Sequence, residues 1–337
     1  MSLFEARKIL RVGAKSYAVS IPKKWASVLG LKPGDTVDVI LDKNGLIIIR
    51  PRKIVSNITS ANIATINGSE LSRDELFKAI EGSYIEGYDV IKIVGLDEPE
   101  IIAAELATKI TTRLPGTVVL EEDGGVLIKV ALSEEVVSLD EVVQKMMSVL
   151  SSMYSRMLDF LRKPSQRSLG EKILVLDDEL DRMYFLGLRI IKKQLVRSRL
   201  SDSSSELRAL IDAALLIKAI EHVGDSLDRS VRVLLEEPRI VEVYGGELFE
   251  LYRMSMKLVF DAVNAYRNCD LKHALKVTNN RREFKKKLHE FRSETRKCDA
   301  GPGITNVIHE LELIAAVVMD MVDVAISRCA SVYGSTS

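Results

Sequence analysis

Cysteine is scarce in this chain. Cys269, Cys298 and Cys329 are the three present, far apart and without a CxxC pair. That spacing excludes a disulfide framework and a zinc ribbon, and it fits a reducing, cytoplasmic compartment. Long apolar runs are missing, and the N-terminus has no apolar stretch of the signal-peptide kind, so membrane insertion and export are not expected. Net charge is absent as well: 48 Lys and Arg balance 48 Asp and Glu over 337 residues. A general electrostatic attraction to nucleic acid or to acidic surfaces is thereby excluded, unless the charge is segregated.

It is segregated. Residues 1–53 hold eleven Lys and Arg against four acids. A small basic module at one end points to a nucleic-acid partner, because neutralising phosphates releases condensed counterions. The pattern within it is strand, turn, short helix, strand, turn, strand. Spaced apolar residues in Lys8 to Val12 and in Ser16 to Ile21 flank Gly13-Ala14-Lys15. Pro22 stands where a helix can begin, followed by two turns over Lys23 to Leu29 and by Gly30. Lys32-Pro33-Gly34-Asp35 is a β-turn sequence, and Lys43-Asn44-Gly45 is a hairpin signal between Val37–Leu41 and Leu46–Ile49.

Ser20-Ile21-Pro22-Lys23-Lys24, Leu29-Gly30-Leu31-Lys32-Pro33-Gly34-Asp35 and Gly45-Leu46-Ile47-Ile48-Ile49 occur in the order and spacing of the AbrB/SpoVT/MazE family, which the module resembles. The resemblance implies a swapped-hairpin β-barrel built from two chains, hence a homodimer. It also implies DNA binding through Lys8, Arg11, Lys15, Lys23 and Lys24. A module this small buries little surface alone, and dimerisation supplies the missing core. Trp25 is expected in that dimer core. Toxin neutralisation is a competing use of the same fold, and the length of chain that follows speaks against it.

Residues 54–130 invert the balance, with six Lys and Arg against thirteen acids. Strands at Ile54–Ile58 and Asp89–Val94 alternate with helices at Ser72–Ile85 and Glu98–Leu114. A hairpin closes the segment at Asp123-Gly124-Gly125. The expectation is a small α/β domain over 54–132, ferredoxin-like in character. The segment contains no Gly-rich phosphate loop and no nucleophile–base pair.

From residue 133 to 337 six helical stretches are expected, at about 134–163, 168–198, 205–236, 241–268, 270–298 and 304–332. Two groups of three, about 134–238 and 239–332, read as an internal repeat. The fold class is thus multidomain α+β, with an all-α C-terminal half. Met146, Met147, Met153 and Met157 in the first helix suit a core, or an adaptable partner surface. Arg281, Arg282 and Lys285 to Lys287 form a basic run on the fifth helix.

The sharp feature of this half is the spacing of acids. Asp177 and Asp181 stand four apart in one helix, Glu221 and Asp225 four apart in the next. Such pairs stack on one helix face, and two of them on neighbouring helices repel unless a cation intervenes. Carboxylate-bridged metal sites in helical bundles follow this logic, although i, i+4 acids are also common on solvated helix faces.

Two three-helix repeats, Asp177-Asp178-Glu179-Leu180-Asp181 and Ala219-Ile220-Glu221-His222-Val223-Gly224-Asp225 together resemble the PhoU family of phosphate-signalling proteins. The resemblance covers about 134–332 and implies a multinuclear metal cluster, iron or zinc in relatives. It makes Asp177, Asp181, Glu221 and Asp225 the ligands, with Asp178, Asp228 and His222 as further candidates. The second repeat departs from the pattern: Asn279-Asn280-Arg281-Arg282-Glu283 and Glu312-x-x-x-Ala316 replace the acid pairs. At most one cluster per chain is therefore expected, and in the second repeat Glu283 and Glu312 could meet Arg281 or Arg282 in a salt-bridge network that replaces the metal.

The two resemblances in one chain imply a DNA-binding transcriptional regulator of phosphate uptake and homeostasis, with a metal-binding helical domain that senses state or binds a partner. The alternative is an interaction protein that regulates a phosphate-transporter ATPase or a sensor and uses the barrel only to dimerise. Catalysis is not expected, since no Lys, Arg or His set converges to bind a phosphoryl group.

Overall fold

Gly13 turns the first hairpin with φ 69, a left-handed conformation that suits glycine. It joins β1 (Leu10–Val12) to β2 (Ser16–Ala18), with Arg11 opposite Tyr17. The computed structural model describes residues 5–41, 45, 47–51, 62–122, 124–132, 137–197, 204–298 and 301–333. It divides into two units, Met1–Ala61 and Asn62–Ser337.

In the first unit, α1 (Lys23–Val28) separates that hairpin from a second, β3 (Val37–Leu41) and β4 (Ile47–Pro51). Pro22 flanks α1 as its N-cap, and Gly30 ends it with φ 65. The Lys32–Asp35 turn is closed twice: the Asp35 N–H donates to the Lys32 carbonyl, and the Lys32 N–H to Asp35 Oδ2. Among the described residues the four strands form two separate two-stranded sheets, so no barrel closes within one chain. Pro22 is the one fully buried residue among those described from 5 to 51, and Trp25 is half-buried. Ile9, Tyr17, Leu41 and Ile47 are each about 70% exposed.

The second unit opens with a four-stranded sheet. Its strands are β5 (Ile63–Asn67), β6 (Val90–Val94), β7 (Thr117–Glu122) and β8 (Gly125–Val130), in the order β5-β6-β8-β7. β5 and β6 are parallel, and the other pairs antiparallel. α2 (Arg73–Glu86) follows β5, and α3 (Pro99–Arg113) follows β6. The succession βαβαββ corrects the ferredoxin-like expectation, which requires βαββαβ. The cause is the closing hairpin: Gly125 lets β8 lie against β6, where a Cβ would strike the Ile93 carbonyl. The first strand is Ile63–Asn67, whereas the expected 54–58 lies outside the described residues. The Ser72–Glu75 capping box is formed, with the Ser72 N–H donating to Glu75 Oε2 at 2.9 Å.

Six helices follow: α4 (Leu139–Arg162), α5 (Arg167–Arg197), α6 (Ser204–Glu236), α7 (Pro238–Asn268), α8 (Leu271–Lys297) and α9 (Gly301–Tyr333). They pack as two groups of three, joined through α6 against α9 and α4 against α7. Ser138 and Glu141 cap α4 with a second capping box. Pro238 begins α7 rather than separating helices, and Gly245 lies within that helix, where it lets α7 approach the Leu161 carbonyl of α4. The four methionines of α4 are all buried in the helical core.

The sheet and its two helices sit on α5. Their core of Ile80, Tyr84, Ile93, Ile110 and Ile128 takes in Phe185 of α5. Arg189 of α5 is 0% exposed. Its Nη1 donates to the Tyr84 and Tyr88 carbonyls at 2.9 and 2.8 Å, and its Nη2 to Asp89 Oδ1 at 3.2 Å. Lys193 donates to the same oxygen at 2.5 Å, while Asp89 Oδ2 accepts from the Asn62 N–H. Burial pushes the Asp89 carboxyl up, but the bonds from Lys193 and Asn62 and the charges of Lys193 and Arg189 outweigh it and hold the group below its ordinary range.

Removing the Arg189 cation leaves two buried carbonyls and a carboxylate short of a donor. Arg189→Ala is expected to cost roughly 3–5 kcal/mol in a denaturant titration. A carboxyl with a depressed folded pKa stabilises fully above its unfolded value of about 3.9, and that stability is lost as pH falls through the folded value. Asp89→Asn is therefore expected to lower stability at neutral pH and to flatten the loss below pH ~4, read from denaturation midpoints across pH.

Candidate metal centre and basic face

Asp177 and Asp181 lie one turn apart on α5, and Glu221 and Asp225 one turn apart on α6. Glycines let these two helices close. A Cβ on Gly224 of α6 would run into the Leu180 side chain, and one on Gly187 of α5 would come within 2.9 Å of Ile217. At the level of Gly224 one oxygen each from Asp181, Glu221 and Asp225 lie within 4.8 Å of one another. Asp177, the fourth expected ligand, stands outside that trio with its Oδ1 buried and unpaired in any hydrogen bond. Asp228 is buried nearby, whereas Asp178 and His222 are exposed.

The electrostatics are those of a site short of positive charge. Burial, then Asp228, Asp181, Asp225 and Asp178, push the Asp177 carboxyl up to about 8. Burial raises Asp181 to about 6; Arg113 opposes this, and Glu221, Asp225 and Asp178 add to it. Burial lifts Glu221 as well, against the hydrogen bond from Lys218. Burial lowers His222, with Lys218 and Arg229 adding to the effect. Among the described residues four basic groups touch the cluster. Lys218 donates to Glu221 at 2.7 Å, and Arg232 donates twice to Asp228, at 2.7 and 3.0 Å. Arg229 donates to Asp225 at 3.3 Å and to Glu310 of α9 at 3.0 Å. Arg113, the last residue of α3, donates to Asp181 at 3.2 Å. Six carboxylates (Asp177, Asp178, Asp181, Glu221, Asp225 and Asp228) outnumber them.

An orphaned buried carboxylate oxygen beside three converging ones, all hard oxygen donors, fits a hard di- or trivalent cation. Bound there, it would neutralise Asp181, Glu221 and Asp225 and tie α5 to α6.

The second repeat is built differently. Glu312 pairs with Arg292 at 2.5 Å rather than with Arg281 or Arg282. Arg281 donates to the Ala315 carbonyl, Arg282 to Asn279, and Glu283 is exposed. Spacing along the chain placed these charges on helix faces but did not choose their partners across the bundle. Lys218 and Arg229 were legible in retrospect, standing three before Glu221 and four after Asp225. Arg113 and Glu310 reach the cluster from distant segments and carry no local signal.

In the first unit, Lys8, Arg11, Lys15, Lys23 and Lys24 are all exposed. Arg11 flanks the turn with its Nε donating to the Gly13 carbonyl, and Lys23 and Lys24 open α1.

The chain combines a small module of hairpins with a helical repeat that carries an acidic centre, and comparison with known proteins finds a match for each. Residues 10–56 match the family described as antidote-toxin recognition MazE, bacterial antitoxin. Residues 143–232, from α4 through most of α6, match the PhoU domain. The chain thus joins a MazE/AbrB-type domain to a PhoU domain. A crystal structure of PhoU from Pseudomonas aeruginosa is similar at 17% identity and TM-score 0.45, over 58% of this chain and 97% of that one. No curated protein matches. Among the described residues no helix is long and apolar enough to cross a membrane.

Crowded carboxylates are costly without a cation. Asp177→Asn is expected to stabilise the metal-free protein by about 1 kcal/mol and to reduce the stabilisation gained on adding Mn²⁺. Thermal unfolding with and without the ion checks both halves. A loss of stability in metal-free protein would mean that Asp177 is structural.

Proposed function

We propose that the protein is a homodimeric, cytoplasmic DNA-binding regulator of phosphate uptake and homeostasis, not an enzyme. In this reading the PhoU-type domain binds metal and senses state or engages a partner. The observation that carries it is the first unit: five exposed cations on a module that has one buried residue among those described. Ile9, Leu10, Tyr17, Val39, Leu41 and Ile47 lie exposed there. A second copy of the module would cover them, forming the swapped-hairpin barrel that the family resemblance implies, and would double the basic face. Its joining to a PhoU domain supports phosphate as the theme.

Asp181, Glu221 and Asp225 would hold the metal, with Asp177 beside them. Regulation then requires that the effector bind the DNA-competent and DNA-incompetent states with different affinity. The second reading is an interaction protein that regulates a phosphate-transporter ATPase or a sensor. The exposed apolar residues favour it equally, since a dimerising barrel needs them whether or not DNA is bound.

The two readings separate on salt. Full-length protein titrated with its own upstream DNA is expected to bind it over random DNA. Each phosphate contact contributes about −0.9 to the slope of log K against log salt. Lys23→Glu/Lys24→Glu is expected to abolish specific binding and to flatten that slope. Binding that is unchanged by the double charge reversal, or no better than to random DNA, would favour the interaction protein.

A further inference from the structure

Arg113 of α3 has two carboxylates and one ring as neighbours, drawn from α2 and α5. Its Nε donates to Glu81 Oε1 of α2 at 2.6 Å, its Nη2 to Asp181 Oδ2 of α5 at 3.2 Å, and its Cζ lies 5.3 Å from the Phe185 ring centroid. Glu81 is 4% exposed and belongs wholly to the α/β segment. Asp181 belongs to the trio of converging carboxylates. The guanidinium therefore bridges the α/β segment to the acidic centre, and among the described residues it is the one basic group there that comes from outside the helical repeats.

Resting on the metal reading above, we propose that Arg113 is an internal cation that competes with the metal for Asp181, so that metal binding and the seating of α3 on α5 oppose each other. A guanidinium on Asp181 Oδ2 and a metal on the same carboxylate would stand close together and repel. The guanidinium is always charged, so it cannot relieve that repulsion by losing a proton. It has somewhere to go: the shorter of its two bonds is to Glu81, and the Phe185 ring also favours a cation over its face. A metal at the trio takes Asp181 from Arg113 and leaves Glu81 to it. The last turn of α3 then loses its ion pair to α5 and keeps the ring contact with Phe185, while Arg189 and Asp89 continue to hold α2 and the start of β6. The coupling is reciprocal, as linkage requires: whatever presses α3 onto α5 weakens metal binding.

The experiment is a calorimetric titration of full-length protein with Mn²⁺, and separately Zn²⁺, for wild type, Arg113→Gln and Arg113→Lys. Hydrogen exchange over 106–113 is followed with and without metal. Removing a like charge beside the site is expected to tighten metal binding roughly tenfold or more in Arg113→Gln. Arg113→Lys, which keeps the charge, is expected to stay close to wild type and serves as the control for folding. Metal is expected to speed exchange in the last turn of α3 in wild type and to leave it unchanged in Arg113→Gln. Equal affinity in all three proteins, with metal bound, would overturn the competition and leave the metal reading standing. Slower exchange at α3 on metal binding would overturn it too, by making Arg113 a supporting neighbour of the bound ion. No binding to any of the three would remove the metal reading and the competition with it.

Discussion

The close approach of α5 to α6 at Gly224 is the constraint on which the rest of the helical unit turns. A methyl group there would meet Leu180, so glycine sets how near the two backbones come. That nearness forces carboxylates from both helices into one small, half-buried space. Water cannot solvate them all, and burial is the largest cause of the shifts at Asp177, Asp181 and Glu221. The response is visible in three elements: α6 supplies Lys218, Arg229 and Arg232, Arg229 reaches α9 through Glu310, and α3 sends in Arg113.

Much of this was legible before any coordinates. The i, i+4 acids lie one turn apart on two neighbouring helices, and the six expected helical stretches are six helices. These signals are local: the residues of a helix face lie within a few positions of one another. The partners were not legible. Arg113 meets Asp181 across 68 residues of sequence, and Arg189 meets Tyr84 across 105. No spacing rule connects such positions, because tertiary packing alone selects them.

Two departures show how composition misleads where topology decides. The closing hairpin was expected, yet the βαβαββ succession it completes, with the hairpin's second strand beside β6, is not the ferredoxin-like order. Complementary charges in the second repeat suggested that Glu312 would find Arg281 or Arg282. Geometry gave it Arg292 and turned Arg281 to a backbone carbonyl. Composition reveals that charges will pair, and only the bundle determines which.

The first unit carries a different consequence. With one buried residue among those described, it gains little hydrophobic stabilisation from its own chain. Its folded population then follows mass action and rises with the concentration of whatever covers it. Where the cover is a second copy, as proposed, the abundance of the protein in the cell becomes an input: newly made chains at low copy number carry an unfolded, protease-sensitive arm, and only accumulation converts that arm into a folded one.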